Sequence, residues 1–578
     1  MAEEQTFLNA IRQEPDEPVH RQAFADLLED RDDQRAELLR LHLNLDEVPE
    51  HLRNISELKF EIHSWWGKHA RCWLDTLTEK DGIEWHFPRG LPEKALFGNY
   101  TTFKKHSSAS LNTSALHQLE FQAIAGCKIL AKQAAMKNFT ELNLKNHELE
   151  DENVAHLLRS ETLQSIQSLN LAGNKLSAGL MQTWAREKSF PSLRHLDLSN
   201  NLIRSDGLIQ LLDHSMPLTS LVLKRMELSK RGAHALVSSE TVRDLTSLNL
   251  NNNWIGDDAV AALSQSSSLS SLNQLRLFRC NMETPGMLFL CQSSNLANLR
   301  WLDFRDNPVG EKGIAALTDA IFLPKFERFD LDVSRLDGAT FQSWNGACFP
   351  SLNYLSTGLT FETVAQLEQL LSARLPNLQY LSLGVLMSDG ESPATMLANV
   401  STAPELARLD LHSTALSPKG ARALMHAPWM GAIRHLKLST CSIGKHGVKL
   451  LAEAENLTRL RTLELMSDRT ITVQAARDIL SGEHLPSLRQ LSLRGCPVGD
   501  EGLRLISKAP LLSQLTDLDL GTAGLSRRGL VEFLNSAQLR DGFRLWAYDP
   551  WWTPESIDSL TQHFGERIQF ATRGFSRK

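Results

Sequence analysis

With 578 residues, 42% of them hydrophobic, the chain is too long for one ordinary core and too apolar for global disorder. A formal net charge of −7, from 61 basic and 68 acidic side chains, excludes a broadly basic nucleic-acid binder. Seven scattered cysteines without a CxxC pair exclude a disulfide framework and a structural zinc site, and fit a reducing, cytoplasmic setting.

The chain opens on MAEEQTFLNAIRQEPDEP, which is acidic and lacks the apolar stretch of a secretory signal. No run of about 18 apolar residues occurs anywhere, so no membrane partner is expected. Residues 1–110 are read as a helical N-terminal cap region. Within them TFLNAIRQEPDEPVHRQAFADLLEDRDDQRAELLRLHLNL predicts two or three helices. Phe7, Leu8 and Ile11 form one apolar stripe, and Phe24, Leu27 and Leu28 a second, which Leu38, Leu39, Leu41 and Leu43 continue. Residues 60–110 then hold Trp65, Trp66, Trp73 and Trp85. These form either an exposed aromatic binding face or a small core that seals the first open coil of an array; the need of repeat arrays for a cap favours the second. Cys72 with His51, His63, His69 and Asp75 supplies the residue types of a thiol nucleophile and base. A cysteine between hydrophobic neighbours such as Trp73 and Leu74 reads instead as a core residue. P-loop, GxSxG, HExxH and GxGxxG signatures are absent. No catalytic residue, metal ligand set or cofactor is expected, and an N-terminal hydrolase is a remote alternative.

From Leu116 to Leu515 the pattern LxxLxL, with Ile or Phe admitted, starts sixteen times, and a degenerate aromatic version comes after it at Phe543. Most steps are about 27 residues, a spacing that marks a solenoid. In LxxLxL the leucines share one face of a short strand and the x residues take the other. The return segments, such as IGDDAVAALSQS after Asn253 and VGDEGLRLISKAP after Cys496, carry apolar residues at helical spacing. Each unit is therefore strand, turn, helix, turn, and stacking buries what one unit cannot bury alone. The expected array occupies residues 111–548 in about 16 units. Residues 549–578, with Trp551, Trp552, Phe564 and Phe570, are expected to close it as a C-terminal cap.

The eighth position after a unit's start has its own composition. It holds Asn174, Asn201, Asn253 and Asn307, then Cys280, Thr414, Cys441 and Cys496. The turn leaves backbone groups that the strand ladder cannot satisfy. An inward side chain with both donor and acceptor bonds the backbone of adjacent coils, and a thiol is a weaker substitute. Asn174, Asn201, Asn253, Cys280, Asn307, Cys441 and Cys496 are thus expected as a structural ladder rather than as redox or metal groups.

In these features the chain resembles the leucine-rich repeat family, most closely its ribonuclease-inhibitor-like class, over residues 116 to 548. The resemblance implies an α/β solenoid: a curved horseshoe with a parallel sheet on the concave face and helices on the convex face. It also implies recognition of a protein partner, usually by the concave side. The N-terminal stretch resembles the bacterial repeat-companion domain through Phe7 to Ile11, Pro15–Asp16, Phe24 to Leu28, Asp33 and Ala36 to Leu41. Leu27 stands where that family has Trp, and Asp32 where it has Gly.

The third residue of each unit faces outward, and neighbouring coils lie about 4.8 Å apart. Trp301, Arg328, Tyr354, Tyr380, Arg408 and His435 therefore form one stripe. Serine serves in this column elsewhere, so structure does not demand the aromatics, and Trp, Tyr and Arg are the types that anchor interfaces. The expected partner-binding residues are Trp301, Arg328, Tyr354, Tyr380 and Arg408, flanked by Arg276, Phe278 and Arg305. The units between Phe326 and Val400 depart from the ladder at Ser334, Thr360 and Leu386, as a distortion or a binding feature. Three functions fit: a recognition module binding a protein; an inhibitor or immunity protein that occludes a toxin or enzyme; and a substrate adaptor or effector of a ubiquitin-like or defence system. The partner is a protein, with no nucleic acid; sequence leaves the oligomeric state open.

Overall fold

Leucines at alternate positions of a parallel strand pack inward together, and the chain does this along the array. In the computed structural model Leu196, Leu198, Leu248, Leu250, Leu302, Leu436, Leu438, Leu491 and Leu493 are all buried. The structure describes residues 2–548 outside 54–55, 70–76, 78–81, 113, 125, 188, 332–341, 362–363, 386–392, 399–402, 482–483 and 541–542. Beyond 548 it describes residues 552–553, 555, 557, 559–560, 562 and 568–569. Cys72, Trp73, Asp75, Ser334, Leu386, Trp551, Phe564 and Phe570 lie outside the described residues.

The chain forms two compact units: Met1–Glu47 with His69–Phe326, and Val48–Lys68 with Glu327–Lys578. In the first unit, α1 (Ala2–Gln13), α2 (Pro18–Glu29) and α3 (Arg35–Asp46) bury Leu8, Ile11, Phe24, Leu28, Leu38 and Leu39. Two guanidiniums fasten these helices to the start of the array. Arg12 donates to the carbonyls of Leu111 and Ser114 at 2.6 and 2.8 Å. Arg21 pairs with the fully buried Glu93 at 3.0 Å.

The strands of this unit are β1 (Ile83–His86), β2 (Lys94–Phe97), β3 (Gln118–Phe121), β4 (Glu141–Asn143), β5 (Ser168–Asn170), β6 (His195–Asp197), β7 (Ser220–Val222), β8 (Ser247–Asn249), β9 (Gln274–Arg276) and β10 (Trp301–Asp303). From β2 to β10 each strand pairs parallel with the next, leucine opposite leucine, as in Leu169 with Leu196. The edge is sealed by residues without the repeat. β1 turns back antiparallel to β2, and helix α6 (Tyr100–Asn112) sets Phe103 against Phe97, Phe121 and Phe139. Trp65 and Trp66 group with the second unit.

The returns are mostly helices on the other side of the sheet, such as Gly256–Gln265 and Gly499–Ile506; after β10 a short helix, Gly310–Ala315, runs into a 3₁₀ turn. Successive helices pack closely. A Cβ on Gly207 would lie 2.6 Å from Ile203 and 2.9 Å from the backbone of Ala178. Gly256 has a different reason: it turns the chain into its helix at φ +71°, where a side chain is strained.

The second unit contains α4 (Glu50–Arg53) and α5 (Glu57–His69), the last residue of which is assigned to the first unit. Its strands are β11 (Arg328–Leu331), β12 (Tyr354–Phe361), β13 (Tyr380–Val385), β14 (Arg408–His412), β15 (His435–Ser439), β16 (Thr462–Glu464), β17 (Gln490–Ser492), β18 (Asp517–Asp519), β19 (Arg544–Trp546) and β20 (Ile568–Gln569). All pair parallel in chain order. The register shifts between Ser356 and Thr360 in β12, within the stretch where the sequence departs from its pattern.

Candidate functional site

Each unit presents a sheet face turned away from its helices. In the first, His195 is exposed and Ser220, Ser247, Gln274 and Trp301 are half-buried. The aromatic side chains here are held by arginines. The Arg276 guanidinium lies 3.9 Å from the centre of the Trp301 ring. Phe278, just past β9, has Arg279 and Arg305 at 5.2 and 5.9 Å from its ring centre. Arg305 is in turn fixed by two bonds to Asp303, both 2.8 Å. Such stacking keeps planar groups oriented while leaving apolar surface accessible. The turn after β8 runs alongside: Asn252 N–H donates to the Phe278 carbonyl at 2.7 Å, and Phe278 N–H donates to Asn251 Oδ1 at 2.9 Å. On that turn Trp254 is 78% exposed. Sequence reasoning missed it, although the same position holds Lys175, Glu227 and Asn281 elsewhere, so an aromatic there was a visible signal.

In the second unit the column is continuous but not open. Tyr354 and Tyr380 stack at 4.2 Å between ring centres. Arg328 lies 4.1 Å over Tyr354, and Arg408 4.9 Å over Tyr380. Arg408 grips Asp410 with bonds of 3.0 and 2.8 Å, and the Tyr380 hydroxyl donates to the same carboxylate at 2.9 Å. Burial alone would raise the Asp410 carboxyl, but Arg408 and then His435 hold it below the usual carboxylate range. Tyr380 is buried, and α4 stands against the stripe: His51 meets the Tyr354 ring edge-on at 6.1 Å and bonds Gln379 Oε1 at 3.1 Å. Leu52 and Val48 pack on Ala407. His435 is buried too, 3.1 Å from a Glu464 oxygen, rather than presented as a contact residue. Thr462 is likewise buried and donates to Gln490 at 3.1 Å.

The eighth-position asparagines and cysteines turn inward. Asn253 Nδ2 donates to the carbonyls of Leu223 and Leu250 at 2.7 and 2.8 Å, and Oδ1 accepts from Met226 and Leu228 N–H, both at 3.1 Å. Asn174 and Asn307 repeat all four bonds, and Asn201 reaches both carbonyls and Leu176 N–H. The thiols of Cys280, Cys441 and Cys496 donate to the coil before, at Leu250, Leu411 and Leu465. Asp468, which sequence reasoning left out, occupies the same position and accepts from Ile443 N–H at 2.8 Å. A carboxylate supplies the acceptor half of the asparagine role.

This geometry defines a class: a solenoid of leucine-rich repeats, each one strand and one return, with a parallel sheet. Within it the chain is similar to leucine-rich-repeat proteins of the ribonuclease-inhibitor-like class. The family model described as Leucine Rich repeat matches residues 191–212, 243–264 and 484–507. Ribonuclease inhibitor of Sus scrofa is 28% identical over 451 residues, which cover 74% of this chain and 86% of that protein. Its Mus musculus counterpart is 25% identical over 443 residues, 73% of this chain and 85% of that protein. The human NACHT, LRR and PYD domains-containing protein 5 is 29% identical over 214 residues, 34% of this chain and 18% of that protein. No described helix is long and apolar enough to cross a membrane.

Proposed function

We propose that this chain recognises a protein partner through the open sheet face of its first unit, with Trp301, Phe278 and Arg276 as central anchors and Trp254 beside them. One observation carries the reading: Trp301, braced by Arg276, stands where neighbouring strands of this unit use Ser220, Ser247 and Gln274. Aromatics and arginine dominate the energetics of protein interfaces, and exposing them has a solubility cost that a partner removes. The function is binding rather than catalysis, in the cytoplasm, where the free cysteines at 127, 280, 291, 348, 441 and 496 stay reduced.

The relatives named ribonuclease inhibitor favour a second, sharper reading, in which the partner is an enzyme that the chain occludes. A ribonuclease is the first candidate, assayed by RNA cleavage with and without the chain. For any partner captured, Trp301→Ala and Arg276→Ala should each weaken binding by about 2 kcal/mol, roughly thirtyfold. Phe289→Ala is the control, since that phenylalanine is exposed on a return helix. Wild-type affinity in both anchor variants, with the fold intact, rejects this face as the interface.

A further inference from the structure

The second unit's sheet face is occupied by the chain itself. Residues 48–68 group with this unit although the residues before and after them belong to the first. Their contacts fall on the Tyr354–Tyr380–Arg408 stripe: His51 on Tyr354 and Gln379, Leu52 and Val48 on Ala407. Further along the segment Phe60, Ile62 and Trp65 are buried, and Lys59 is close enough to Arg544 to feel its charge. Polar side chains of the same face are buried as well: Tyr380, Asp410, His435, Glu464 and Asp517.

This is an unusual composition for a permanent core. A core seam is apolar, or its polar groups bond across it. Here the strands' polar groups pair among themselves: His435 lies 3.1 Å from one Glu464 oxygen, and Arg408 and Tyr380 both bond Asp410. What joins the segment to the face is His51 on Gln379 and Tyr354 and the aliphatic contacts of Leu52 and Val48. The seam has the make-up of an interface whose ligand comes off.

We infer that residues 48–68 are a ligand in cis for this face. They occupy the Tyr354–Tyr380–Arg408 anchors, and a partner's helix pairing an imidazole or similar ring donor with an aliphatic neighbour, as His51 and Leu52 do, binds there only by displacing them. The inference concerns a different unit and different residues from the interface proposed above, so the two stand or fall separately.

The test uses the full chain and a fluorescein-labelled synthetic peptide of residues 48–68, read by anisotropy. A tethered segment competes at an effective concentration on the order of millimolar. Wild type should therefore leave the peptide unbound at micromolar concentrations. The His51→Ala/Leu52→Ser chain should bind it at least roughly tenfold better, and adding Tyr354→Ala should remove that gain. Hydrogen exchange on wild type gives the second readout: amides of 57–68 should exchange faster than those of β14 to β16. A folded double variant that binds no better than wild type overturns the inference. So does protection of 57–68 equal to that of β14 to β16, which also decides the matter if the double variant fails to fold.

Discussion

Asn253→Leu tests the ladder at its most completely bonded rung. The side chain is wholly buried and serves four backbone groups. Their fates differ when it is lost. The Leu250 carbonyl keeps a partner, because the Cys280 thiol also donates to it, at 3.2 Å. The Leu223 carbonyl and the Met226 and Leu228 N–H groups keep none from this side chain. Three orphaned groups at about 1–3 kcal/mol each predict a loss of about 3–9 kcal/mol. Cys280→Ala is the internal comparison. It removes one weak donor from a carbonyl that Asn253 still serves, and should cost about 1 kcal/mol beyond the small volume change. Urea unfolding followed by circular dichroism gives the midpoints. Because long repeat arrays can lose two-state behaviour, amide exchange at Met226 and Leu228 should be read alongside. An Asn253→Leu chain with an unchanged midpoint and unchanged protection at those amides would refute the reasoning, as would a Cys280→Ala loss of equal size.

His117 is fully buried; its Nδ1–H donates to the Ala115 carbonyl at 2.9 Å, and Gln118 donates to its Nε2 at 3.3 Å. Burial lowers its pKa from 6.5 to about 4. Between those values the unfolded chain takes a proton that the folded chain refuses, so stability is complete above the unfolded pKa and falls with pH by about 3 kcal/mol in all. His117→Asn, which keeps a donor toward Ala115, should lose that share of the acid sensitivity; identical pH profiles of unfolding midpoint in both chains would exonerate the histidine. Burial also pushes the thiols of Cys127, Cys280, Cys291, Cys441 and Cys496 up to about 12. In a Cys72→Ser chain at pH 8 only about one buried thiol in ten thousand is then a thiolate, so a chromogenic disulfide should titrate Cys348 at once and the others only in denaturant. Rapid labelling of Cys280 in the folded chain would contradict its placement.

The array was legible because its physics repeats. A leucine at a fixed phase can only be buried when the next coil lies on it, so Leu248 and Leu436 announced their environment. The eighth position was legible for the same reason, except at Asp468, where an acidic residue reads first as a surface charge. The N-terminal third was less so. The strands Ile83–His86 and Lys94–Phe97 carry no LxxLxL, and nothing in their composition says that they extend the sheet edge. Most of all, the residues around Leu52 and Phe60 carry no repeat and no motif that would name what they pack on. The outward column of Tyr354, Tyr380 and Arg408 was legible as a stripe; that the chain's own residues 48–53 meet it depends on long-range docking that local pattern does not encode.

The asparagine rungs have a further meaning for how the molecule comes apart. Each ties its own turn to backbone of the coil before, so free energy passes from neighbour to neighbour along the array. Among the described residues, Thr414 contributes less to this transmission than the asparagines. It is buried, yet its hydroxyl donates to His412 of its own coil at 3.2 Å, and among the described residues it makes no side-chain bond to the preceding one. There the coils are joined by pairing of β13 with β14 and by the Tyr380–Asp410 bond. Between β13 and β14 the gearing is therefore slacker than at the asparagine rungs. Under heat or mechanical load the gearing should slip first between β13 and β14, beneath the seam that residues 48–53 cover, so that whatever loosens the array there also loosens the hold on that segment.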